Sequence, residues 1–470
     1  MSKKTIIRRG NRKSGTFLPA ILIACTILLI LATAIITLMM ANLKRISLYE
    51  KQVSTSSIAE AGLNYYLWHL AHNPNDYTDN HPSDTIKPEG YFGPYSHNYS
   101  DSTGHEIGTY DLYIYPPSAD FSSVQVKSVG KVNGSTLEKT VVAQLSMPYF
   151  SRYYLLSFND EIWIGDTEII NGPVHTNNQF KGIRNDGTVG QATATCIEDY
   201  RSDTDGSTHD CIWGPGTFTQ GTDYPVSSFN VADVNFTNLL TDSQPDGTLY
   251  PENTSGVGYH VILKGDRYDI RKVRNANSNR GYYPEDNQQY NIFDTIRNEN
   301  AYLADQPFPE NGLIFINDNV WIEGTLTNEK VTFVAAKPSE NDTSRFKNIY
   351  INNNLRYTEK NSLTKLGLVA QKHIQIVYGA PNNLNVDAAM LAKTGFIFYP
   401  YYSGNIKNSI TVFGSLAHLG GLIFSWAYSN GTVVAGYRNT INNHDPELIF
   451  SPPPFFPKSG QYQILNWHEE

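Results

Sequence analysis

The chain has 470 residues, too many for one ordinary domain, so two or three are expected. Only 17% of them are charged and the net charge is −9, which argues against a nucleic-acid partner. The 31 tyrosines and 35 glycines, with much Asn, Ser and Thr, give the texture of an exported β-rich surface protein.

Residues 1–16 hold Lys3, Lys4, Arg8, Arg9, Arg12 and Lys13 and no acidic residue, which marks a cytoplasmic basic leader. Phe17–Met40 follows without a charge. About 20 apolar residues cross the bilayer hydrocarbon as a helix, and the apolar part of a signal peptide has only about 7–15. Positive charge stays inside. The expectation is a single-pass protein of the cytoplasmic membrane with an extracytoplasmic ectodomain.

The helical pattern continues as a stalk over 41–73. Leu43, Ile46, Tyr49, Val53, Ile58, Ala61, Tyr65 and Trp68 recur at helical spacing, and Asn73-Pro74-Asn75 ends the run. An unbroken helix from Phe17 would have about 56 residues and span about 84 Å. Its apolar stripe needs cover, from the protein's own head or from neighbouring helices.

A small α+β domain is expected over 74–147. Residues 74–105 read as loop. Tyr110–Tyr115, Val124–Val129 and Leu137–Leu145 read as three antiparallel strands, with a hairpin signal at Asn133-Gly134. Met147-Pro148 is the boundary.

From 148 to 460 the texture changes to short apolar strands broken by Asp, Asn and Gly. It begins in Leu155–Thr176 and returns in Gly312–Ile316, Val320–Ile322, Val331–Val334, Ile349–Ile351, Leu366–Val369, Ile374–Ile376, Val386–Ala389 and Ile410–Phe413. This spacing predicts a parallel β-solenoid, in which stacked coils share a core, with an antiparallel sandwich as the runner-up. Residues 181–306 read as a polar, loop-rich insertion on the flank, with short helices at Val231–Leu240 and Gln289–Asn298 and a stray strand at Val261–Leu263. The fold class is thus mainly β with one long N-terminal helix. Within the insertion Cys196 and Cys211 are expected to form a disulfide, the alternative being two free thiols. Cys25 lies in the membrane span.

The basic leader, the stretch Gly15-Thr16-Phe17-Leu18-Pro19, the long apolar helix and Ser57-Ile58-Ala59-Glu60-Ala61-Gly62-Leu63 together resemble minor pilins of the PilX-like type within the type IV pilin family. The resemblance implies cleavage after Gly15, with Thr16 as first mature residue, and association with other pilin-like subunits through the helix. Where the family commonly has glutamate at the fifth mature position, this chain has Ala20. Leu22-Ile23-Ala24-Cys25 also fits a lipobox, but lipoproteins turn polar soon after the cysteine and Thr26–Met40 stays apolar. At the C-terminus, Asp445–Leu448, Pro452–Pro457 and Tyr462…Trp467 resemble the closing motif of PilX-like proteins. Physically, 445–470 is expected to lay a polyproline segment over the open end of the solenoid as a cap, the alternative being a polyproline ligand for an aromatic groove.

No HExxH, zinc spacing, GxGxxG, P-loop or GxSxG occurs, and no cofactor is expected. Asp203-Thr204-Asp205-Gly206-Ser207…Asp210 has calcium-like alternation without the distal glutamate, and reads as a solvated turn. Asp160, Glu161, Asp166 and Glu168 imitate a glycosidase pair but read as turn carboxylates. His175 is expected to be buried and bonded to a turn carbonyl. The reading is a structural protein with no catalytic or metal site, displaying its head for pilus assembly, adhesion or recognition of a surface glycan or protein. The alternatives are a polysaccharide-active β-helix lyase or hydrolase and a stand-alone adhesin.

Overall fold

Helix α1 runs unbroken from Phe17 to His72. The computed structural model describes the chain except residues 1–16, 118–122, 160, 166–167, 184–186, 196–199, 202–205, 221–227, 245, 287, 339–341 and 429–430. The chain is mainly β with this one long helix, and it forms two compact units, Met1–Ser146 with Ile464–Glu470, and Met147–Gln463.

In the first unit α1 has two regimes. Every described side chain from Leu18 to Ser54 is exposed, whereas Thr55, Ile58, Ala59, Gly62, Leu63, Tyr66, His69 and Leu70 are buried. Of the expected stripe Ile58 is buried and Ala61 and Tyr65 are half-buried, Trp68 is exposed, and Leu43, Ile46, Tyr49 and Val53 lie in the exposed half; from Gly62 on, the packed face is shifted by one residue. Size decides the contact face. A Cβ on Gly62 would collide with the Ser128 hydroxyl and the Tyr110 ring, and one on Gly130 would stand 2.5 Å from Ala59 N and Thr55 O. Helix and sheet backbones approach where side chains are smallest.

The sheet beneath is larger than three strands. β1 (Phe92–Ser100), β2 (Glu106–Tyr115), β3 (Val124–Val132) and β4 (Glu138–Ser146) lie in sequential order, and Gln463–Glu469 returns beside β4 as the fifth. β1 occupies sequence expected to be loop, because its burial alternates through Tyr and Ser rather than through aliphatics.

The second unit is a set of parallel, in-register ladders. Ile314 pairs with Phe333, then Leu368, Met390 and Leu416. Leu416 pairs in turn with Leu155, Val174 and Ala192, so the first strands of the unit stack beyond its later ones. All eight side chains belong to one hydrophobic core. Their neighbours Phe315, Val334, Val369, Leu391, Ala417 and Leu156 point the opposite way into a second core, covered by Phe236 and Leu239 of helix Phe236–Asp242. Both faces are buried, which is why these strands read as continuous apolar runs.

Residues 181–306 are not a loop-rich flank. Thr188–Ala194 and Thr217–Gln220 continue the ladder at one end, and Thr248–Tyr250 and Gly258–Gly265 do so at the other. The helix expected at Gln289–Asn298 is instead part of strand Gln289–Pro307, paired with Arg267–Tyr282 in a long antiparallel hairpin. Ile292, Phe293 and Ile296 have helix-like spacing, but the burial of Ile292 and Asp294 has the two-residue period of a strand.

The Pro-rich segment also differs from the expected cap. The Thr332 hydroxyl donates to Pro454 O, and a Cβ on Gly367 would meet Pro453 and Phe456. Thr332 and Gly367 are partners in neighbouring strands. The segment thus crosses the flank of the ladder, with Phe456 buried in the second core. Where the chain enters and leaves this unit the two segments pair: Tyr149 bridges Lys458, Phe150 N–H donates to Pro457 O at 3.0 Å, and Ser459 N–H donates to Pro148 O at 2.9 Å.

Candidate functional site

The exposed half of α1 is the most unusual surface of the chain. It is long and apolar enough to cross a membrane, with mean hydropathy 2.9 over its most apolar 18 residues, none of them buried. Such a surface is stable only against lipid or other apolar helices. Gly15 and Thr16, the expected processing point, lie outside the described residues. Cys25 is exposed on this half as a free thiol.

Below it, the end of α1 is locked by a charged cluster. Tyr65 OH donates to Asp79 Oδ1 at 3.0 Å, His97 Nε2 lies 2.7 Å from Asp79 Oδ2, and His69 Nε2 lies 3.1 Å from Asp76 Oδ2. Burial and the Asp79 carboxylate push the Tyr65 hydroxyl up to about 12. The cluster fastens the turn after Asn73 to the helix, a positioning role legible only in part, as the Asn-Pro-Asn stop.

Several of the sequence-derived site residues lie outside the described residues. Cys211 is buried, and its expected partner Cys196 lies outside the described residues. Asp203 and Asp205 of the calcium-like loop, and Asp160 and Asp166 of the carboxylate set, lie outside them too. Glu161 is held by Lys181 at 2.6 Å and by Gln179 Nε2 at 2.9 Å. Glu168 borders a cavity of about 630 Å³ with Arg438 and Asn442, and burial pushes its carboxyl up. Among the described residues it is the one carboxylate lining that cavity. Among the described residues no group of three His, Cys, Asp or Glu could hold a metal ion.

His175 is buried, and its Nδ1 meets the Thr193 hydroxyl at 2.9 Å. The register explains it: Leu156, His175 and Thr193 are successive ladder partners, so a polar side chain on a buried rung finds its mate on the next strand. Sequence reasoning missed the aromatic cleft at the tip of the long hairpin, where Tyr282, Tyr283 and Asp286 meet Tyr401 and Trp426. No local signal could have found it, since its walls come from three distant segments.

No known family matches the chain, and neither does any curated protein. Among solved structures it is similar to the crystal structure of the competence-associated pilin ComZ from Thermus thermophilus, with 11% identity and a TM-score of 0.30 over 90% of this chain and 98% of that one. At that identity and score the likeness is too slight to carry an argument.

Proposed function

We propose that the chain is a non-enzymatic, membrane-anchored structural protein of minor-pilin type, presenting a β-solenoid head outside the cell for pilus assembly, adhesion or recognition. One observation carries the reading: a single helix leaves Leu18–Ser54 wholly exposed and packs only its last part, from Thr55 to Leu70, on its own sheet. The free half is held by lipid before assembly and by the helices of other subunits after it, a heterologous contact that can propagate. The solenoid reading is supported by the eight aligned rungs from Ile314 to Ala192. The basic leader supports an N-terminus inside the cell.

Mass measurement of the mature N-terminus, on chain recovered from sedimented membranes, tests both parts. A chain beginning at Thr16 is expected. An intact leader in the membrane fraction overturns the pilin reading and leaves the anchor; recovery of the full chain as a soluble protein overturns the anchor itself. The reading includes a Cys196–Cys211 disulfide. Non-reducing peptide mapping should find the two cysteines linked, and closing that loop of about 15 residues would contribute ~3 kcal/mol.

A further inference from the structure

The aromatic cleft has the construction of a binding site. Strands Arg267–Tyr282 and Gln289–Pro307 pair antiparallel, and their turn brings Tyr282, Tyr283, Pro284 and Asp286 against Tyr401 and Trp426 around a cavity of about 270 Å³. The backbones of Tyr282 and Tyr401 exchange two hydrogen bonds of 3.1 Å, which fix the hairpin tip in place. The rings stand as walls rather than as one flat platform: Tyr282 and Tyr401 lie 5.6 Å apart at 67°, and Tyr401 and Trp426 lie 5.7 Å apart at 77°. The Trp426 indole N–H already donates to Tyr399 O at 2.8 Å, so its ring carbons are what remains for a ligand.

Charge at the rim is unevenly settled. Glu285 is neutralised within the protein, 3.1 Å from Lys372 and 3.0 Å from His373. Its neighbour Asp286 accepts only neutral donors, Gln288 N–H at 2.9 Å and Tyr290 OH at 2.7 Å, and among the described residues no cationic side chain pairs with it. Among the described residues no Lys or Arg lines the cleft.

We propose that this cleft binds a quaternary ammonium group of the choline kind. Aromatic faces attract a cation through the ring quadrupole, and the uncompensated Asp286 carboxylate supplies the counter-charge. A methylated ammonium sheds little water on entering and presents apolar methyls to the walls. A sugar fits worse: it carries hydroxyls around its ring, and among the described residues these walls offer one carboxylate and the tyrosine hydroxyls, with no side-chain amide or guanidinium. An anion is repelled by Asp286. The cleft lies wholly within the second unit, so the inference stands apart from the reading of α1 as an anchor.

The test is fluorescence titration of the full chain in a polyoxyethylene detergent, which contains neither sugar nor amine. Choline chloride, phosphocholine, the neutral isostere 3,3-dimethylbutan-1-ol and cellopentaose are the probes. Choline should quench tryptophan emission saturably, and the isostere should not. Asp286→Asn keeps an acceptor for Gln288 N–H and should raise the choline midpoint about tenfold with an unchanged circular dichroism spectrum. Tyr401→Ala should abolish saturation. Phosphocholine binding at least as well as choline points to a phosphocholine-bearing surface as the source; choline binding alone points to the free cation. Equal response to choline and its isostere, saturation by cellopentaose alone, or no saturation by choline up to about 50 mM would each overturn the proposal.

Discussion

Lys365 and Asp445, 80 positions apart in the chain, meet at 2.6 Å with both side chains shut off from solvent, at 0% and 1% exposure. Each charge has further partners. Lys365 Nζ donates to Asn361 O at 2.8 Å and stands over the Tyr357 ring, while Asp445 caps the turn Pro446–Ile449 by accepting from Glu447 N–H at 3.1 Å. The pair ties the C-terminal segment to a rung of the ladder, upstream of the prolines that cross it.

Removing one partner strands the other charge in the interior, which costs roughly 3–5 kcal/mol. Lys365→Met should therefore lower the urea midpoint of the second unit sharply. Lys365→Met combined with Asp445→Asn should lose less than Lys365→Met alone. A double variant as weak as the single one would show that the ion pair is not the link.

His418 is fully buried, with no hydrogen-bond partner for Nδ1 among the described residues. Burial pushes its pKa down from 6.5 to about 4. A base whose folded pKa is depressed takes its proton first in the unfolded chain, so stability is constant above pH 6.5 and falls as pH drops towards about 4. The full loss is about 3 kcal/mol, at 1.36 kcal/mol per pKa unit. Urea unfolding at pH 7 and pH 4.5 should show this slope in the native chain and a shallower one in His418→Leu.

Gly130→Ala should detach α1 from its sheet. The added Cβ meets backbone at Ala59 and Thr55, which cannot swing aside as a side chain would. Overpacking of this kind costs about 1–3 kcal/mol. The expected readout is faster amide exchange along residues 55–70, with the second unit unchanged.

Asp294 anchors the long hairpin. Its carboxylate accepts from Tyr402 OH at 2.5 Å, Gln375 Nε2 at 2.9 Å and Tyr378 N–H at 3.0 Å, and its carbonyl accepts from the Trp321 indole at 2.6 Å. Asp294→Ala removes the acceptor of two buried donors, Tyr402 OH and Gln375 Nε2, at about 1–3 kcal/mol each, and of two part-buried ones, Tyr378 N–H and the Thr295 hydroxyl. Limited proteolysis should then cut within 283–288 well before the native chain is cut there.

What could be read from the sequence was what neighbouring residues decide. α1 was legible because its 56 residues have their only proline, Pro19, in the first turn and no interior helix-breaking pair, so local sequence settles their conformation. Its buried stripe was not, because Gly62 and Ala59 win that face by smallness and hydrophobicity counts cannot see it. Strands such as Leu313–Ile316 were legible from their β-branched runs, whereas Val261–Leu263 reads as a stray strand because the parallel partner of the whole strand Gly258–Gly265, Val320–Leu326, lies far along the chain. The helix expected over Gln289–Asn298 failed for the same reason, since Asp294 is buried only through partners distant in sequence. The burial of His175 was foreseen and its mate was not, because Thr193 becomes a neighbour only through register.

Tyr149 and Lys458 stand side by side where the second unit opens and closes, and the last strand then returns beside β4. In topological terms the larger unit is cargo grafted between two strands of a smaller host. Excising 148–458 and rejoining the ends with a short turn leaves the host every strand of its own sheet. The insertion between β4 and the last strand can therefore differ in length or fold without removing a strand from the host sheet.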